Sequence, residues 1–355
     1  MTDSPPSGTR RVTLSQVAER AGVSRSAVSF VMNGRTDQRL SADVFERVRR
    51  AAEELGYRPN QTAKTLRTGR SGTIALVSDF VSSTSYANAM VRGAMRALRE
   101  RDILLFTVDT EGDPQVEERL LHSLFGRDID GVIYTSMFTR IVDPPPLLAA
   151  TRTVLLNCRA RGEDDVAVVP DEVEAGREAA RLLVAAGHTD GIWFVGDLPP
   201  GRRGGLLWNE WGPLALPERL EGIERELASS GLSLAGHAAV DDDWDAPNGQ
   251  RAVERLLEDG ARPSALICVN DAVAAGAYRA LHAAEWRIPD DVSVIGFDGS
   301  PLAGMLEPSL TSISLPHEDL GRRAATLLLS DDATPRVERV RMPVHLGASV
   351  GSPTR

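Results

Sequence analysis

The feature that most constrains the fold is a repeated alternation of apolar runs and amphipathic segments from residue 73 onward. The apolar runs are "TIALVSDF", "DILLFTVD", "DGVIYTS" and "RTVLLNC" in the first half, then "GIWFVGD", "AAVDDDW", "ALICVN" and "VSVIGFD" in the second. Helical periodicity separates them at 86–101, at "QVEERLLHSLFGR", and at 175–186, 217–230, 249–259 and 272–284. Strands that alternate with helices predict parallel sheets covered by helices on both faces. Two similar halves therefore predict two doubly wound α/β lobes with a cleft between them.

Polar residues follow several of the predicted strands. They are Asp79, Thr135, Asn157, Asn270 and Asp298. Ligands of doubly wound folds bind at the carboxyl ends of the strands, so these residues are candidates for a ligand site. An aspartate after a strand is also often only the N-cap of the next helix, and that alternative stays open.

The first 57 residues have a different pattern, that of three short helices. Thr13 and Gln16 form a capping box for the first helix, and Gly22 ends it. Ser24 is the expected N-cap of the second helix, and Ser41 that of the third. Two short helices joined by a tight Ala-Gly-Val turn predict an all-α helix-turn-helix unit, whose second helix usually lies in a DNA major groove.

The charge is distributed unevenly along the chain. Residues 1–70 carry 13 Lys and Arg against 7 Asp and Glu, whereas the net charge of the whole chain is −10. The head is therefore basic (+6) and the remainder acidic (−16), which indicates that only the head meets a polyanion. An incidental surface bias is the alternative.

The second helix offers side chains suited to DNA on the face opposite its apolar positions. Arg25 can donate two hydrogen bonds to guanine, Ser26 can bond several bases, and Phe30 can pack on a thymine methyl. Residues suited to phosphates or to setting register complete the DNA-binding candidates in the head: Thr13, Ser24, Ser29 and Asn33. The alternative is a three-helix packing module that binds no DNA.

Two stretches of this region resemble the DNA-binding head and hinge of the lactose/galactose-repressor (LacI/GalR) family. They are "VTLSQVAERAGVSRSAVSFVMNG" and "AAEELGYRPNQTAKTLRTGRSGTIALV". The position of Phe30 is often arginine in that family, which makes thymine more plausible than guanine at the base it contacts. The resemblance implies that the 58–71 hinge folds into a short helix on the operator. In that helix Leu66 would be the wedge in the minor groove with Ala63 beside it, and Asn60 and Lys64 would also contact DNA. A flexible tether is the alternative.

The resemblance continues through the body, which also has the plan of periplasmic sugar-binding proteins. It implies that Arg219, Asn270 and Asp298 bind the effector's polar groups, that Trp244 stacks on a sugar ring, and that Asp271 and Asp79 contribute. Two departures stand out. The segment 200–215, with Trp208 and Trp211, is longer than the usual family loop, and a polar family position is Leu315 here.

These observations give a domain plan and a function. We expect a helix-turn-helix domain at 1–57, a hinge at 58–71 and a core at 72–355. The core's N-terminal lobe would comprise about 72–169 and 315–330, and its C-terminal lobe about 170–312 and 336–350. The expected protein is a homodimeric repressor that binds a palindromic operator and a carbohydrate-like effector, without cofactor or metal. A nucleoside effector, or a solute-binding protein instead of a regulator, are the alternatives.

Other function classes lack sequence support. The sequence contains no G-x-x-x-x-G-K-[ST] and no H-E-x-x-H motif, so we expect no enzyme. Its two cysteines form neither a disulfide framework nor a metal set. No apolar run approaches membrane-spanning length, and "MTDSPPSGTRR" precedes no apolar signal segment, so we expect a cytoplasmic protein.

Overall fold

The structure is a computed structural model that describes residues 12–32, 40–58, 65, 69–80, 85–162, 164–197, 214–241, 243–332 and 334–353. The chain divides into two compact units, 1–71 and 72–355, which we describe separately. No helix among the described residues combines the length and the apolar character that crossing a membrane requires.

The N-terminal unit contains three helices: α1 (Leu14–Ala21), α2 (Arg25–Met32) and α3 (Ala42–Leu55). They surround a small core centred on Val17, Val28 and Val48, none of which is exposed. The predicted capping box is confirmed, with Thr13 and Gln16 each accepting from the other's backbone N–H. The helix-turn-helix arrangement predicted from the sequence is therefore present.

The capping residues of the helices agree only in part with the sequence prediction. Ser24 Oγ accepts from Ala27 N at 3.1 Å, as an N-cap should. Ser41 occupies the N-cap position of α3, but its side chain makes no capping hydrogen bond, so that prediction was only half right. Gly22 and Gly56 end α1 and α3 in the left-handed conformation, with φ of 65° and 63°.

The core unit is built on two sheets. Their strands are β1 (Thr73–Ser78), β2 (Leu104–Asp109), β3 (Gly131–Val142), β4 (Thr153–Ala160), β5 (Val166–Pro170), β6 (Ile192–Val195), β7 (Gly236–Ala238), β8 (Ala265–Cys268), β9 (Ser293–Asp298), β10 (Thr311–Ser314), β11 (Arg336–Val340) and β12 (Val344–His345). The first sheet has the order β11-β5-β4-β3-β1-β2 and is parallel throughout. The second has the order β12-β10-β9-β8-β6-β7, with only β12 antiparallel to its neighbour.

The described helices of the core are α4 (Ser85–Arg99), α5 (Pro114–Phe125), α6 (Glu172–Ala186), α7 (Ala215–Ser229), α8 (Ala246–Glu258), α9 (Asp271–Ala283) and α10 (His317–Leu329). Short 3-10 turns lie at Pro146–Ala150 and Ala303–Met305. Helices α4 and α10 pack together on the first lobe, and α6–α7 and α8–α9 form pairs on the second. The predicted pair of doubly wound lobes is confirmed.

Two details differ from the sequence prediction. The 336–350 segment does not belong wholly to the C-terminal lobe, because β11 pairs with β5 of the first sheet and only β12 joins the second. The strand predicted at "AAVDDDW" is present but begins and ends earlier: β7 spans Gly236–Ala238, and the described residues that follow form a loop. The chain thus passes between the lobes after Pro170, after Ser314 and again between β11 and β12.

Helices α6 and α7 approach each other through glycine. A Cβ added at Gly176 would lie 2.0 Å from the carbonyl oxygen of Arg219, and one at Gly222 would lie 2.0 Å from that of Val173. Since no real Cβ tolerates such a distance, only glycine permits this packing. The close approach brings the N-terminal residue of α6, Glu172, beside Arg219 of α7.

Candidate functional site

A cavity of about 310 Å³ lies between the two lobes of the core. Its lining residues come from strands β3, β4 and β9, from loops that follow other strands, and from the first two turns of α6, α7 and α10. They are Met137, Phe138, Thr139, Asn157, Glu172, Ala215, Leu216, Arg219, Trp244, Val269, Asn270, Asp298, Leu315 and His317. The site therefore lies where doubly wound folds bind their ligands.

Arg219 is held rigidly at the second-lobe side of the cavity. Its Nε and Nη2 contact Glu172 Oε2 at 2.9 and 2.8 Å, and its Nη1 donates to the carbonyl oxygen of Val269 at 2.5 Å. The guanidinium carbon lies 4.0 Å from the centroid of the Phe297 ring, a cation–π geometry. Both charged side chains are almost completely buried, so removal of either partner would leave an uncompensated charge.

Asp298 lies at the end of β9 with an unusual backbone. Its φ is 105°, in the region that favours glycine, and such strained residues are concentrated at ligand sites. Burial, with Asp271 nearby, raises the pKa of the Asp298 carboxyl to about 8, although Arg219 opposes the rise. The carboxyl group of Asp298 is therefore mostly protonated at neutral pH.

Asp271 does not line the cavity, contrary to the expectation that it binds effector directly. Its carboxylate accepts from Ser312 Oγ at 2.6 Å and from Ser300 N at 2.7 Å. Those bonds tie the start of α9 to β10 and to the loop after Asp298. Burial raises the pKa of Asp271 as well.

Asn270 and Trp244 form another part of the second-lobe wall. Asn270 Oδ1 caps α9 by accepting from Val273 N at 2.8 Å, and its Nδ2 donates to the carbonyl oxygen of Trp244 at 3.0 Å. The capping alternative considered from the sequence therefore applies to Asn270, although the residue also lines the cavity. Its second bond holds the loop that presents the indole.

On the first-lobe side, Asp79 supports the wall from behind and does not line the cavity. Its carboxylate accepts from Ser136 Oγ at 2.8 Å and from Met137 N at 2.9 Å, and it pairs with Arg140 at 3.0 Å. These partners belong to an irregular part of β3, where the register with β4 shifts between Thr135 and Arg140. The expectation that Asp79 contacts effector directly is thus not met by its position.

Asn157 holds the same irregular segment from the next strand. Its Nδ2 donates to the carbonyl oxygens of Ser136 and Met137 at 3.0 and 3.1 Å, and its Oδ1 accepts from Thr139 Oγ1 at 2.7 Å. The φ of Asn157 is 58°, a conformation that asparagine tolerates better than most residues. Thr135 is buried away from the cavity, and its hydroxyl has no hydrogen-bond partner among the described residues.

Five of the sequence-predicted residues therefore line one cavity: Asn157, Arg219, Trp244, Asn270 and Asp298. Thr135, Asp79 and Asp271 lie behind it. Sequence analysis missed Glu172 and His317, which line the cavity from the first turns of α6 and α10. Both residues follow a crossover between the lobes, and that position was the only feature of the sequence that could have identified them. Leu315 lines the cavity too, so an apolar group stands at that family position.

The electrostatics of the remaining lining groups follow from burial. Burial lowers the pKa of His317 to about 4, so its imidazole is neutral at pH 7. Burial also raises the pKa of Glu172, although Arg219 opposes that shift. Within the described ranges, no group of three or more His, Cys, Asp or Glu side chains could hold a metal ion.

The candidate DNA-binding residues of the head and hinge differ in exposure, and some of them lie outside the described residues. Arg25 and Ser26 are exposed at the start of α2, and Ser24 shares a hydrogen bond of 2.9 Å with Ser26. Ser29 and Phe30 are half-buried further along the helix. Thr13 is exposed at the N-cap of α1. The remaining candidates, which include those of the hinge, lie outside the described residues: Asn33, Asn60, Ala63, Lys64 and Leu66. Trp208 and Trp211 also lie outside them.

A helix-turn-helix unit and a two-lobed core with a ligand-sized cleft define a ligand-responsive DNA-binding regulator. Residues 13–60 match the model of the bacterial regulatory proteins of the lacI family, and residues 72–349 match that of the periplasmic binding proteins and sugar-binding domain of the LacI family. The chain belongs to the LacI family of transcriptional regulators.

Named relatives resemble the chain over nearly its whole length. The ribose operon repressor of Escherichia coli (strain K12) is 30% identical over 335 residues, covering 93% of this chain and 96% of that protein. The transcriptional regulator CelR of Thermobifida fusca is 33% identical over 340 residues, covering 94% and 95%. Both relatives are named as regulators of transcription.

Solved structures show the same architecture. A CelR–cellobiose complex is 29% identical, with a TM-score of 0.64, and covers 96% of this chain and 100% of that one. The lac repressor dimer bound to operator and an anti-inducer, at 22% identity, has a TM-score of 0.74 and covers 96% and 100%. The second likeness concerns the fold alone.

Proposed function

We propose that the chain is a repressor that binds a palindromic operator as a homodimer and whose operator affinity is set by a carbohydrate in the cleft. The observation that carries the proposal is the convergence of Arg219, Asp298, Asn270 and Trp244 on one cavity. The cavity serves binding rather than catalysis. We further propose that the protein acts in the cytoplasm, where it would meet its operator.

A carbohydrate suits the chemistry of this cavity. Sugar hydroxyls need closely spaced donors and acceptors, and the apolar face of a sugar ring needs a flat partner. Asp298 and Glu172 supply carboxyl oxygens, and the guanidinium of Arg219 supplies donors. Trp244 supplies the indole. One relative is named for the ribose operon, and a solved relative holds cellobiose, which favours a sugar over the nucleoside alternative.

The head supports operator binding through α2. Arg25 and Ser26 are exposed at its N-terminal end, and such residues contact base edges in helix-turn-helix proteins. We propose Thr13, Ser24 and Ser29 as positioning contacts and Phe30 as a partner for a thymine methyl. The hinge candidates remain predictions.

Exposed apolar side chains support a homodimer. In the first lobe, apart from Phe138 in the cavity wall, these are Met95, Leu104 and Phe106, on α4 and the edge strand β2. In the second lobe, Met305 and Leu346 are each about three-quarters exposed. Exposed apolar groups of this size suit burial against a second copy of the chain.

The effector site is tested by titrating the full-length protein calorimetrically with ribose, cellobiose, glucose and a set of nucleosides. Operator affinity is then measured by fluorescence anisotropy with and without the sugar that binds. We expect a coupling of about 1–3 kcal/mol, which changes operator affinity about 5- to 150-fold. Binding of a nucleoside and of no sugar would contradict the proposal.

The DNA site is tested with duplexes selected by the protein from a random library. Arg25→Ala should weaken binding to the selected palindrome by about 1–3 kcal/mol and relax its base preference. The control is Arg161→Ala, which removes an exposed, ion-paired arginine of the core. Equal loss in both variants, or no preference for a palindrome over random duplex, would contradict the assignment.

A further inference from the structure

Glu172 is a buried acid with spare hydrogen-bonding capacity at the cavity. It is the first residue of α6, directly after the first crossover, and has no solvent exposure. One oxygen, Oε2, receives both contacts from Arg219. The other, Oε1, is buried and has no hydrogen-bond partner among the described residues. A buried acceptor without a donor destabilises the folded state. A ligand in the cavity that Glu172 lines could supply the missing donor.

The charges around the cavity restrict what that partner can be. Arg219 is the one lining side chain of the described set that is cationic at neutral pH, because His317 has a pKa of about 4. The guanidinium of Arg219 is already neutralised by Glu172 and bound to the carbonyl oxygen of Val269. Burial also raises the pKa of a second lining acid, Asp298, because loss of hydration penalises its charged form. An anionic ligand would lose its hydration without gaining an unengaged cation.

We propose that Glu172 determines the charge specificity of the cleft. Its Oε1 accepts a hydrogen bond from a hydroxyl of an uncharged polyol, and by neutralising Arg219 it excludes sugars that carry a phosphate or a carboxylate. This inference rests on the proposed carbohydrate effector and goes further by defining the charge class of that effector.

The test compares each neutral sugar with an anionic counterpart of similar shape on the full-length protein. The pairs are ribose and ribose 5-phosphate, glucose and glucose 6-phosphate, glucose and glucuronate, and cellobiose and cellobionate. Thermal shift identifies the pairs that bind, and calorimetry measures their affinities. We expect the neutral member to bind at least tenfold more tightly than its anionic counterpart.

Glu172→Gln separates charge from shape. The amide oxygen of glutamine can still face Arg219, which puts its NH₂ group in the place of Oε1 and turns an acceptor into a donor. We expect the neutral sugar to bind at least fivefold more weakly and the disadvantage of the anionic counterpart to shrink at least fivefold. Glu174→Gln is the matched control, because Glu174 lies on the same helix, is partly exposed and pairs with Arg177 and Arg181.

Each result decides the question. An anionic counterpart that binds as tightly as the neutral sugar, or an unchanged affinity ratio in folded Glu172→Gln, overturns the inference. If that variant does not fold, the ratio in the unaltered protein decides alone. If no sugar of either charge binds, the proposed carbohydrate function fails, and this result is distinct from binding with the wrong charge preference.

Discussion

The two walls of the cleft contain similar polar residues but use their hydrogen-bonding groups differently. On the first-lobe side, the side chains of Asp79 and Asn157 form their hydrogen bonds with the irregular segment of β3. On the second-lobe side, Arg219 is fixed by Glu172, and Glu172 keeps one buried oxygen without a partner among the described residues. The polar groups of the first wall thus hydrogen-bond to one another, whereas the second wall retains an acceptor that can bind a ligand.

This difference indicates a division of labour. The first-lobe network positions Met137, Phe138 and Thr139, which line the cavity mainly with carbon. The second-lobe network presents charged and polar atoms at fixed places. We infer that the first wall defines the shape of the cavity and the second wall recognises the chemistry of its occupant.

The largest expected effect is that of Arg219→Ala on the second wall. The change leaves the buried carboxylate of Glu172 without its ion pair, which typically costs about 3–5 kcal/mol of unfolding free energy. Urea denaturation measures the loss, and calorimetry should detect no sugar binding. Arg225→Ala, on the same helix but in an exposed pair with Glu221, should cost less than about 1 kcal/mol. Similar losses in the two variants would show that the second wall does not depend on this pair.

The next effect concerns the packing that brings Glu172 and Arg219 together. Gly176→Ala places a Cβ against the carbonyl oxygen of Arg219, so helix α7 must move. We expect a loss of about 2–3 kcal/mol in unfolding free energy together with weaker sugar binding. Gly304→Ala is the control, because nothing lies within 4 Å of its added Cβ. A Gly176→Ala protein with unaltered stability would contradict the close approach.

The contrast between the walls explains which parts of the fold and of the site could be predicted from the sequence. Strand–helix alternation predicted the lobes, and the positions after the strands predicted that Asn157, Asn270 and Asp298 line the cavity. Sequence could not distinguish Asp79, which supports the wall, from Asp298, which lines it, because both are aspartates at strand ends. That distinction depends on the irregularity in β3, which brings Ser136 and Met137 to Asp79 and has no sequence signal of its own.

Glu172 and the lobe of β11 were missed for a related reason. The lobe to which a segment belongs after a crossover depends on which sheet has an open edge, and no local pattern records that. Strand β11 joins the first sheet because it pairs with β5. Likewise, Glu172 meets Arg219 only because α6 and α7 pack through glycine.

A smaller effect is expected from Asp79→Asn on the first wall. Asparagine keeps the shape of the aspartate side chain but loses the charge that pairs with Arg140. We therefore expect the unfolding free energy to fall by about 1–2 kcal/mol. If the first wall only shapes the cavity, sugar affinity should fall severalfold while the preference for neutral over anionic sugars stays unchanged. Asp143→Asn, in the exposed pair with Arg161, is the matched control. A reversed charge preference in Asp79→Asn would contradict the division of labour.

The smallest effect is a pH dependence that the second wall should add to stability through Asp298. Its pKa is about 8 in the folded chain and near 4 in the unfolded one, so between these values the folded state holds a proton that the unfolded state has lost. Stability from this group is therefore present below about pH 4 and is lost as the pH rises toward 8. His317 acts in the opposite direction, because its lowered pKa of about 4 makes stability rise between pH 4 and 6.5.

The window from pH 6.5 to 8 therefore isolates Asp298 from His317. In that window the unfolding free energy of Asp298→Asn should fall less steeply with pH than that of the unaltered protein, so the asparagine variant gains relative stability as the pH rises. Urea denaturation at half-unit intervals measures the two slopes, and His317→Gln should leave the slope above pH 6.5 unchanged. Parallel slopes for Asp298→Asn and the unaltered protein would mean that Asp298 ionises as readily in the cleft as in water. The second wall would then tolerate negative charge, and the contrast with the first wall would rest on Glu172 alone.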